Sequence, residues 1–258
     1  MDEEAKVNIY KSLLRDMYKV NTDIVVTGSF ATILHLNTVH RTCNDIDMHF
    51  IDDYSIVELI NQVNMLYDVQ YKIIDFSISK ENMSVKLSRE SNEGCIIILD
   101  VYTNSLIDCQ EIDGIKAIKL EKLIANKLIN CADIKNSTNP RIKDLYDLQF
   151  LLRLNYNCDL IFYYLYERLK QCEFDKLFND IINSNEDLCE DIFTQYQTNN
   201  YTTEDLKLQE IKKHLFDIYK HKIYIILGGD AYENSPKRCK LYQGNNQRIN
   251  KTSWNKTR

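Results

Sequence analysis

The apolar positions near the N-terminus follow first a helical period and then a strand period. Residues 3–19 place apolar side chains three and four positions apart, which predicts an amphipathic helix. The short apolar run Ile24–Val26 ends near Gly28 and predicts a buried strand, and residues 30–36 predict the helix that follows. Residues 45–51 alternate between polar and apolar side chains, which predicts a strand with one buried face.

The pattern changes character near residue 115. Before it, a helix is predicted over 53–67 and strands over 71–78, 83–87 and 95–102. After it the helical period dominates, and helices are predicted over 116–132, 141–154, 158–169, 174–193 and 203–220. We therefore predict an α+β fold, in which a mixed sheet of about five strands with flanking helices is followed by a helical domain. The expected domains are 1–115 and 116–234, with a basic tail over 235–258.

Composition places the chain among ordinary globular proteins, with 44% apolar and 27% charged residues. Its apolar runs are far shorter than the roughly 20 residues that span a bilayer, and the N-terminus does not resemble a signal peptide. The eight cysteines include no CxxC pair, so neither a zinc site nor a disulfide framework is indicated. We expect a cytoplasmic protein with no membrane partner.

Charge is distributed unevenly along the chain. The net charge of −6 argues against a protein that coats nucleic acid through bulk electrostatics. Residues 235–258, however, carry seven Lys or Arg and no Asp or Glu. A solvated tail is the simpler interpretation of this segment, and a nucleic-acid-binding arm is the alternative.

Three aspartates are the main candidates for chemistry. Asp45 and Asp47 are two positions apart on a predicted strand, so their carboxylates share a face and could hold Mg²⁺. Asp100 comes near the end of a strongly apolar strand, where an unpaired carboxylate would be costly to bury. Together the three would suit two-metal nucleotidyl transfer, and the alternative for the first pair is a solvated strand face.

The junction at Gly28-Ser29 is a candidate phosphate-binding turn. Glycine lets the backbone turn tightly between a strand and a helix, and the helix N-terminus offers free N–H groups to phosphate. Such junctions are more often structural, because glycine serves any tight turn. His49, on the same strand face as the aspartates, is a candidate substrate contact, with a packed or exposed histidine as the alternative.

Two predicted helices in the second half carry charged residues near apolar positions. Lys127 lies close to the apolar stripe of the first helix. On the second, Asp144 and Asp147 share a face, and Lys143 can pair with Asp147 four positions later. The alternative is a surface helix laced with salt bridges.

Taken jointly, these motifs resemble the AbiEii/AbiGii toxin family of the DNA polymerase beta-like nucleotidyltransferase superfamily. The residues that carry the resemblance are Gly28-Ser29, Arg41-Thr42-x-x-Asp45-Ile46-Asp47, Leu99-Asp100-Val101, the helix over 119–128, and Arg141-x-Lys143-Asp144-x-x-Asp147-Leu148. They occur in the family's order and spacing over roughly residues 20–155. The joint pattern is much more specific than any one of its parts.

The resemblance implies a role for each matching residue and a nucleotidyltransferase fold for the N-terminal domain. Nucleotide-binding residues would be Gly28, Ser29, Arg41, Lys127 and Lys143. Catalytic residues would be Asp45, Asp47, Asp100 and Asp144; the first three would bind Mg²⁺ or alternatively Mn²⁺, and a role as base is the alternative for Asp100. Lys143 and Asp147 would position Asp144.

The function implied is that of a toxin in a toxin–antitoxin or phage-defence pair. Such an enzyme would move a nucleotide from an NTP to a cellular acceptor, with tRNA the expected acceptor and an antitoxin protein the expected partner. Two alternatives remain open from the residues: an antibiotic-type nucleotidyltransferase with a small-molecule acceptor, and a nucleotide-binding module without turnover that acts through a partner.

Overall fold

The computed structural model describes residues 2–50, 55–67, 70–79, 82–89, 92–102, 107–131, 141–169 and 171–226. The first elements are α1 (Glu3–Val20), β1 (Ile24–Val26), α2 (Gly28–Leu36), β2 (Ile46–Phe50), α3 (Ile56–Leu66), β3 (Tyr71–Ile78), β4 (Asn82–Arg89) and β5 (Asn92–Tyr102). Then come β6 (Cys109–Ile112), β7 (Ile115–Ile118), α4 (Leu120–Asn130), α5 (Ile142–Leu151), α6 (Cys158–Arg168), α7 (Gln171–Ile182), α8 (Glu186–Gln197) and α9 (Leu208–Ile226). The basic tail over 235–258 lies outside the described residues.

One mixed sheet organises the N-terminal half, with strand order β3-β4-β5-β2-β1-β7-β6. Its centre contains the parallel pairs β2–β5 and β1–β7, while the remaining neighbours are antiparallel. The predicted mixed sheet is confirmed, but the expected number of about five strands was too low, since the described sheet has seven.

The two strands that the sequence pattern missed form a tight hairpin. Asp113 and Gly114 connect β6 to β7 with positive φ angles of 52° and 76°, as a two-residue hairpin turn requires. β7 then pairs with β1, so the sheet continues to Ile118, beyond the expected boundary at 115. Each strand has only four residues, which is too short for its period to be distinguished from the start of the next helix.

The alternation in β2 separates a core face from an open face. Ile46, Met48 and Phe50 are fully buried, whereas Asp47 and His49 on the opposite face are half-buried. Hydrophobic burial of one face fixes the register of such a strand, since a slip by one residue would bury the polar set. The candidate carboxylates are thus held on the open face by the packing of their neighbours.

Helices α4 to α9 complete the structure and share one hydrophobic cluster with the sheet. The helix predicted over 174–193 is in fact two, α7 and α8, because Asn185 interrupts it. The Asn185 side chain accepts a hydrogen bond from the Leu188 amide and so begins a new helix. None of the described helices is long and apolar enough to cross a membrane.

Candidate active site

The three candidate aspartates meet on the open face of the sheet. β2 and β5 run parallel, and their register places Asp47 directly opposite Asp100. Asp45 lies two positions before Asp47, just ahead of β2, and all three residues are half-buried. We call Asp45, Asp47 and Asp100 the acidic face. Two motifs separated by more than fifty residues in sequence are therefore adjacent in the fold.

The electrostatics of the acidic face are those of crowded like charges. Burial, followed by the charges of Asp45 and Asp100, raises the pKa of Asp47 to about 6. Lys127 and Lys143 act in the opposite direction on the same carboxyl but do not compensate. Because neighbouring side chains do not compensate this negative charge, binding of a cation at the site would be electrostatically favourable.

Gly28 approaches the acidic face so closely that a side chain at this position would have to displace the Asp47 carboxylate. Its φ is +62°, in the left-handed region, and a Cβ built on it would lie 1.8 Å from Asp47 Oδ2. The Thr27 amide also donates to the Asp47 carbonyl at 2.8 Å. The turn before α2 and the strand with Asp47 thus form one unit, and the N-terminus of α2 opens next to the carboxylates.

A cluster of buried charges lies behind this turn. Arg41 donates to Asp147 through Nε at 2.6 Å and Nη2 at 2.8 Å, and Nη2 also donates to Ser29 Oγ at 2.5 Å. Lys127 Nζ contacts Asp147 Oδ2 at 2.6 Å and Asp144 Oδ1 at 2.8 Å. We call Arg41, Lys127, Asp144 and Asp147 the ion cluster.

The ion cluster is almost completely removed from solvent. Relative exposure is 4% for Arg41 and Lys127 and 1% or less for Asp144 and Asp147. Burial alone would raise the pKa of Asp147, but Arg41 and Lys127 outweigh that effect and hold it well below its usual range. Two cations and two carboxylates balance here, so the charges stabilise one another rather than a ligand.

The structure changes the expected roles of the charged residues on α5. The predicted pairing of Lys143 with Asp147 is wrong, because Asp147 faces the interior and Lys143 is exposed. Asp144 is also buried, and its carboxylate oxygens accept hydrogen bonds from Lys127, Asn130 and Arg141. Lys143 instead lies close enough to the acidic face for its charge to lower the pKa of Asp47.

One aromatic contact lies beside the aspartates on the open face. His49 stacks on Tyr102, with ring centroids 4.9 Å apart and planes at 20°. Burial, with a further effect from the Lys122 charge, lowers the pKa of His49 to about 4, so this ring is neutral near pH 7. The packed interpretation of His49 is thus the one that the geometry favours, although the ring lies beside the acids.

His40 is a contact of the ion cluster that the sequence did not reveal. Its Nε2 lies 2.7 Å from Asp147 Oδ1, and its ring stacks on Tyr146. Burial lowers the pKa of His40, so the neutral ring donates from Nε2. The only sequence signal is its place next to Arg41, which does not point to a partner more than a hundred residues away.

A divalent metal at the acidic face would need substrate phosphates and water as additional ligands. Among the described residues, no group of three or more His, Cys, Asp or Glu side chains is arranged to hold a metal ion by itself. Magnesium, however, commonly binds through one or two carboxylates together with substrate phosphates and water. The crowded charges around Asp47 suit that arrangement, and the assignment of Asp45, Asp47 and Asp100 as metal ligands stays a prediction.

A comparison with protein families identifies the family that the chain matches. The family model described as "Nucleotidyl transferase AbiEii toxin, Type IV TA system" matches residues 19–217. That range contains every candidate residue named above and extends well into the helical part. A comparison with curated proteins gives no match.

Solved structures show the same fold at low sequence identity. JHP933 from Helicobacter pylori is similar with a TM-score of 0.59 and 18% identity, over 88% of this chain and 99% of that one. MenT4, a nucleotidyltransferase toxin from Mycobacterium tuberculosis, has a TM-score of 0.50 and 11% identity, over 83% of this chain and 82% of its own. At these identities the likeness concerns the fold.

Proposed function

Because the chain belongs to the AbiEii nucleotidyltransferase toxin family, we propose that it transfers a nucleotide from an NTP to tRNA in a Mg²⁺-dependent reaction. Membership makes it a nucleotidyltransferase of a toxin–antitoxin family; the metal and the acceptor are the proposal. The observation that carries it is the acidic face itself, where Asp47 and Asp100 are paired in register beside the Gly28 turn.

The Gly28 turn supports binding of the triphosphate next to the acids. Without a Cβ at Gly28, the Asp47 carboxylate lies directly against the backbone at the start of α2. Amide groups in the first turn of a helix lack partners within the helix and favour anions. Ser29, in that first turn, would add a hydroxyl donor to the phosphates.

The other roles in the proposed reaction are assigned to the metal ion and to charged side chains near the turn. Bound Mg²⁺ would supply activation of the attacking oxygen and stabilisation of charge on the α-phosphate. Lys143 is exposed beside the acidic face and would contact the triphosphate. We assign Lys127 and Asp144 to holding α4 against α5, because each is buried in contact with the other.

The choice of tRNA rests on the family resemblance and on cations near the acidic face. Lys122 and Lys143 lie on α4 and α5 and affect the pKa values of His49 and Asp47 respectively. Cations beside an active site favour a polyanionic acceptor, with an affinity that falls as salt is raised. An antitoxin partner follows from the family, whose description is that of a toxin–antitoxin system.

The test is transfer of label from each of the four α-labelled NTPs, with Mg²⁺ and total tRNA. We expect label on tRNA with native protein and none with the Asp45→Ala plus Asp47→Ala variant. Asp75→Ala is the matched control, since Asp75 is exposed on β3 and pairs only at the surface with Lys86. Equal labelling by the double variant, or none by native protein with any NTP, would overturn the proposal.

A parallel test in cells addresses the toxin role and the acceptor. Induced expression of the native chain should arrest growth, and expression of the double variant should not. Resistance to an aminoglycoside without growth arrest would instead assign a small-molecule acceptor and contradict the tRNA proposal.

A further inference from the structure

Arg41 is the member of the ion cluster that contacts the Gly28 turn, and its side chain donates four hydrogen bonds. Besides the two bonds to Asp147, its Nη2 donates to Ser29 Oγ at 2.5 Å and its Nη1 to the Thr42 carbonyl at 2.9 Å. Four of the five N–H donors of the guanidinium are thereby accounted for. With 4% exposure, the side chain is buried behind Ser29 and does not face the open site.

The backbone on both sides of Arg41 is fixed from the C-terminal part of the chain. Thr42 donates to the Tyr201 carbonyl at 3.0 Å, and Thr203 donates to the His40 carbonyl at 3.0 Å. Arg41 itself forms an isolated β-bridge with Thr202. The base of the side chain and its guanidinium are therefore both held, which leaves the guanidinium little freedom to turn toward a ligand.

The chemistry of the contact makes the Ser29 hydroxyl oxygen an acceptor toward Arg41. A guanidinium has donors only, so its bond to Ser29 must use a lone pair of the hydroxyl oxygen. The hydroxyl hydrogen is then directed away from the guanidinium and stays available for another acceptor. A serine oriented in this way is prepared to donate to a phosphate oxygen without a reorientation cost.

We propose that Arg41 is a positioning residue, which orients the Ser29 hydroxyl toward the triphosphate and itself makes no contact with the nucleotide. The proposal rests on the proposed function, in which Ser29 binds NTP phosphate. It replaces the expectation from the sequence that Arg41 binds the nucleotide directly. The planar fork is essential, because one guanidinium must bond both oxygens of Asp147 and also Ser29, which a lysine ammonium cannot do in the same geometry.

A double-mutant cycle on Ser29 and Arg41 tests this inference. The Kd of a fluorescent NTP with Mg²⁺ is measured for native protein, Ser29→Ala, Arg41→Lys and the double variant. We expect each single variant to raise Kd by roughly tenfold, as loss of a hydrogen bond to a charged group does. The double variant should also show about a tenfold rise, because Arg41 acts only through the hydroxyl that Ser29→Ala removes.

Arg153→Lys is the matched control. Arg153 is exposed in the turn that follows α5 and bonds Glu204 and Glu210, so the change also breaks a multiple arginine–carboxylate contact. It should leave Kd for the NTP unchanged. A general structural loss at Arg41 would weaken binding in the Ser29→Ala background too and would give about a hundredfold rise in the double variant.

The outcomes separate the inference from the function on which it rests. An unchanged Kd in Ser29→Ala, or no NTP binding by native protein, would contradict the phosphate role of Ser29. A raised Kd in Ser29→Ala combined with an unchanged Kd in Arg41→Lys, or with additive effects, would overturn the positioning role alone. If Arg41→Lys does not fold, the cycle is repeated with Arg41→Gln and with trimethylamine N-oxide, which favours compact states.

Discussion

The acidic face and the ion cluster both contain aspartates on neighbouring elements, yet their surroundings differ in two respects. The acidic face is half-open, and burial together with the charges of Asp45 and Asp100 raises the pKa of Asp47. The ion cluster is closed, and each of its carboxylates contacts at least one cation. One group has unbalanced charge and access to solvent, while the other has neither.

This difference gives a criterion for distinguishing residues that bind a ligand from residues that stabilise the surrounding fold. Charge that is left uncompensated at a half-open surface costs stability and is retained where a ligand compensates it. Charge that is compensated and buried fixes the geometry of the elements that carry it. By this criterion we expect Asp45, Asp47 and Asp100 to bind a ligand and Asp144 and Asp147 to stabilise the fold, although both sets stand out equally in the sequence.

Replacing Asp47 by asparagine should produce the largest effect on activity and no loss of stability. A lost metal ligand removes several kcal/mol of transition-state stabilisation, so transfer from NTP should fall by about 10³-fold. The thermal midpoint should stay the same or rise, because one of three mutually repelling charges is removed. The transfer rate and the thermal midpoint are measured on one preparation of the variant. A clear fall in the thermal midpoint would show that Asp47 stabilises the fold, contrary to this prediction.

Replacing Asp147 by alanine should produce the largest effect on stability. Arg41, Lys127 and His40 would lose a shared buried acceptor, and breaking a buried ion pair costs about 3–5 kcal/mol. Urea unfolding measures the change. Asp75→Ala is the control, because its surface pair with Lys86 is worth only about 0–1 kcal/mol. Equal free energies of unfolding for the two variants would show that the ion cluster does not support the fold.

Replacing Gly28 by alanine should affect the acidic face from the side of the turn. The new Cβ would need the space that Asp47 Oδ2 occupies, and the left-handed conformation costs a further 1–2 kcal/mol or so. We expect transfer to fall by about tenfold to a hundredfold, measured as initial rates. Gly114→Ala is a matched control, since φ is also positive there but its Cβ meets open space. A similar loss of activity in both variants would leave only backbone strain as the cause.

Replacing Lys143 by glutamine should give the smallest effect. Lys143 is exposed, so loss of its charge should raise the Kd for NTP by about threefold to tenfold, or around 1 kcal/mol, without a change in unfolding. Fluorescent NTP binding at low and high salt measures this, with Lys213→Gln on α9 as an exposed control. If the two variants bind NTP equally well, Lys143 does not contact the triphosphate.

The sequence predicted the acidic face well because local rules determine it. Alternation in β2 places Asp45 and Asp47 on one side, and the apolar strand around Asp100 must lie in the sheet. The glycine that begins α2 was correctly selected as a tight turn, although only the structure gives its contact with Asp47.

The ion cluster could not be predicted in the same way, because its contacts are long-range. Arg41 and Asp147 are separated by 106 positions, and a local rule paired Asp147 with Lys143 instead. Burial decides between the two, and burial depends on how α2, α4 and α5 pack together. The hairpin of β6 and β7 was missed for the opposite reason, since its strands are too short to carry a period.

The most direct test of the difference between the acidic face and the ion cluster is a Mn²⁺-binding experiment. Binding of Mn²⁺ in the presence of a non-hydrolysable NTP is detected by electron paramagnetic resonance. Native protein, Asp47→Asn and Asp144→Asn are compared after circular dichroism has established that each is folded. We expect Asp47→Asn to lose the bound Mn²⁺ and Asp144→Asn to keep it, since Asp144 contacts Lys127 and Arg141 rather than the open face. Retention of Mn²⁺ by Asp47→Asn, or its loss from folded Asp144→Asn, would contradict this expectation.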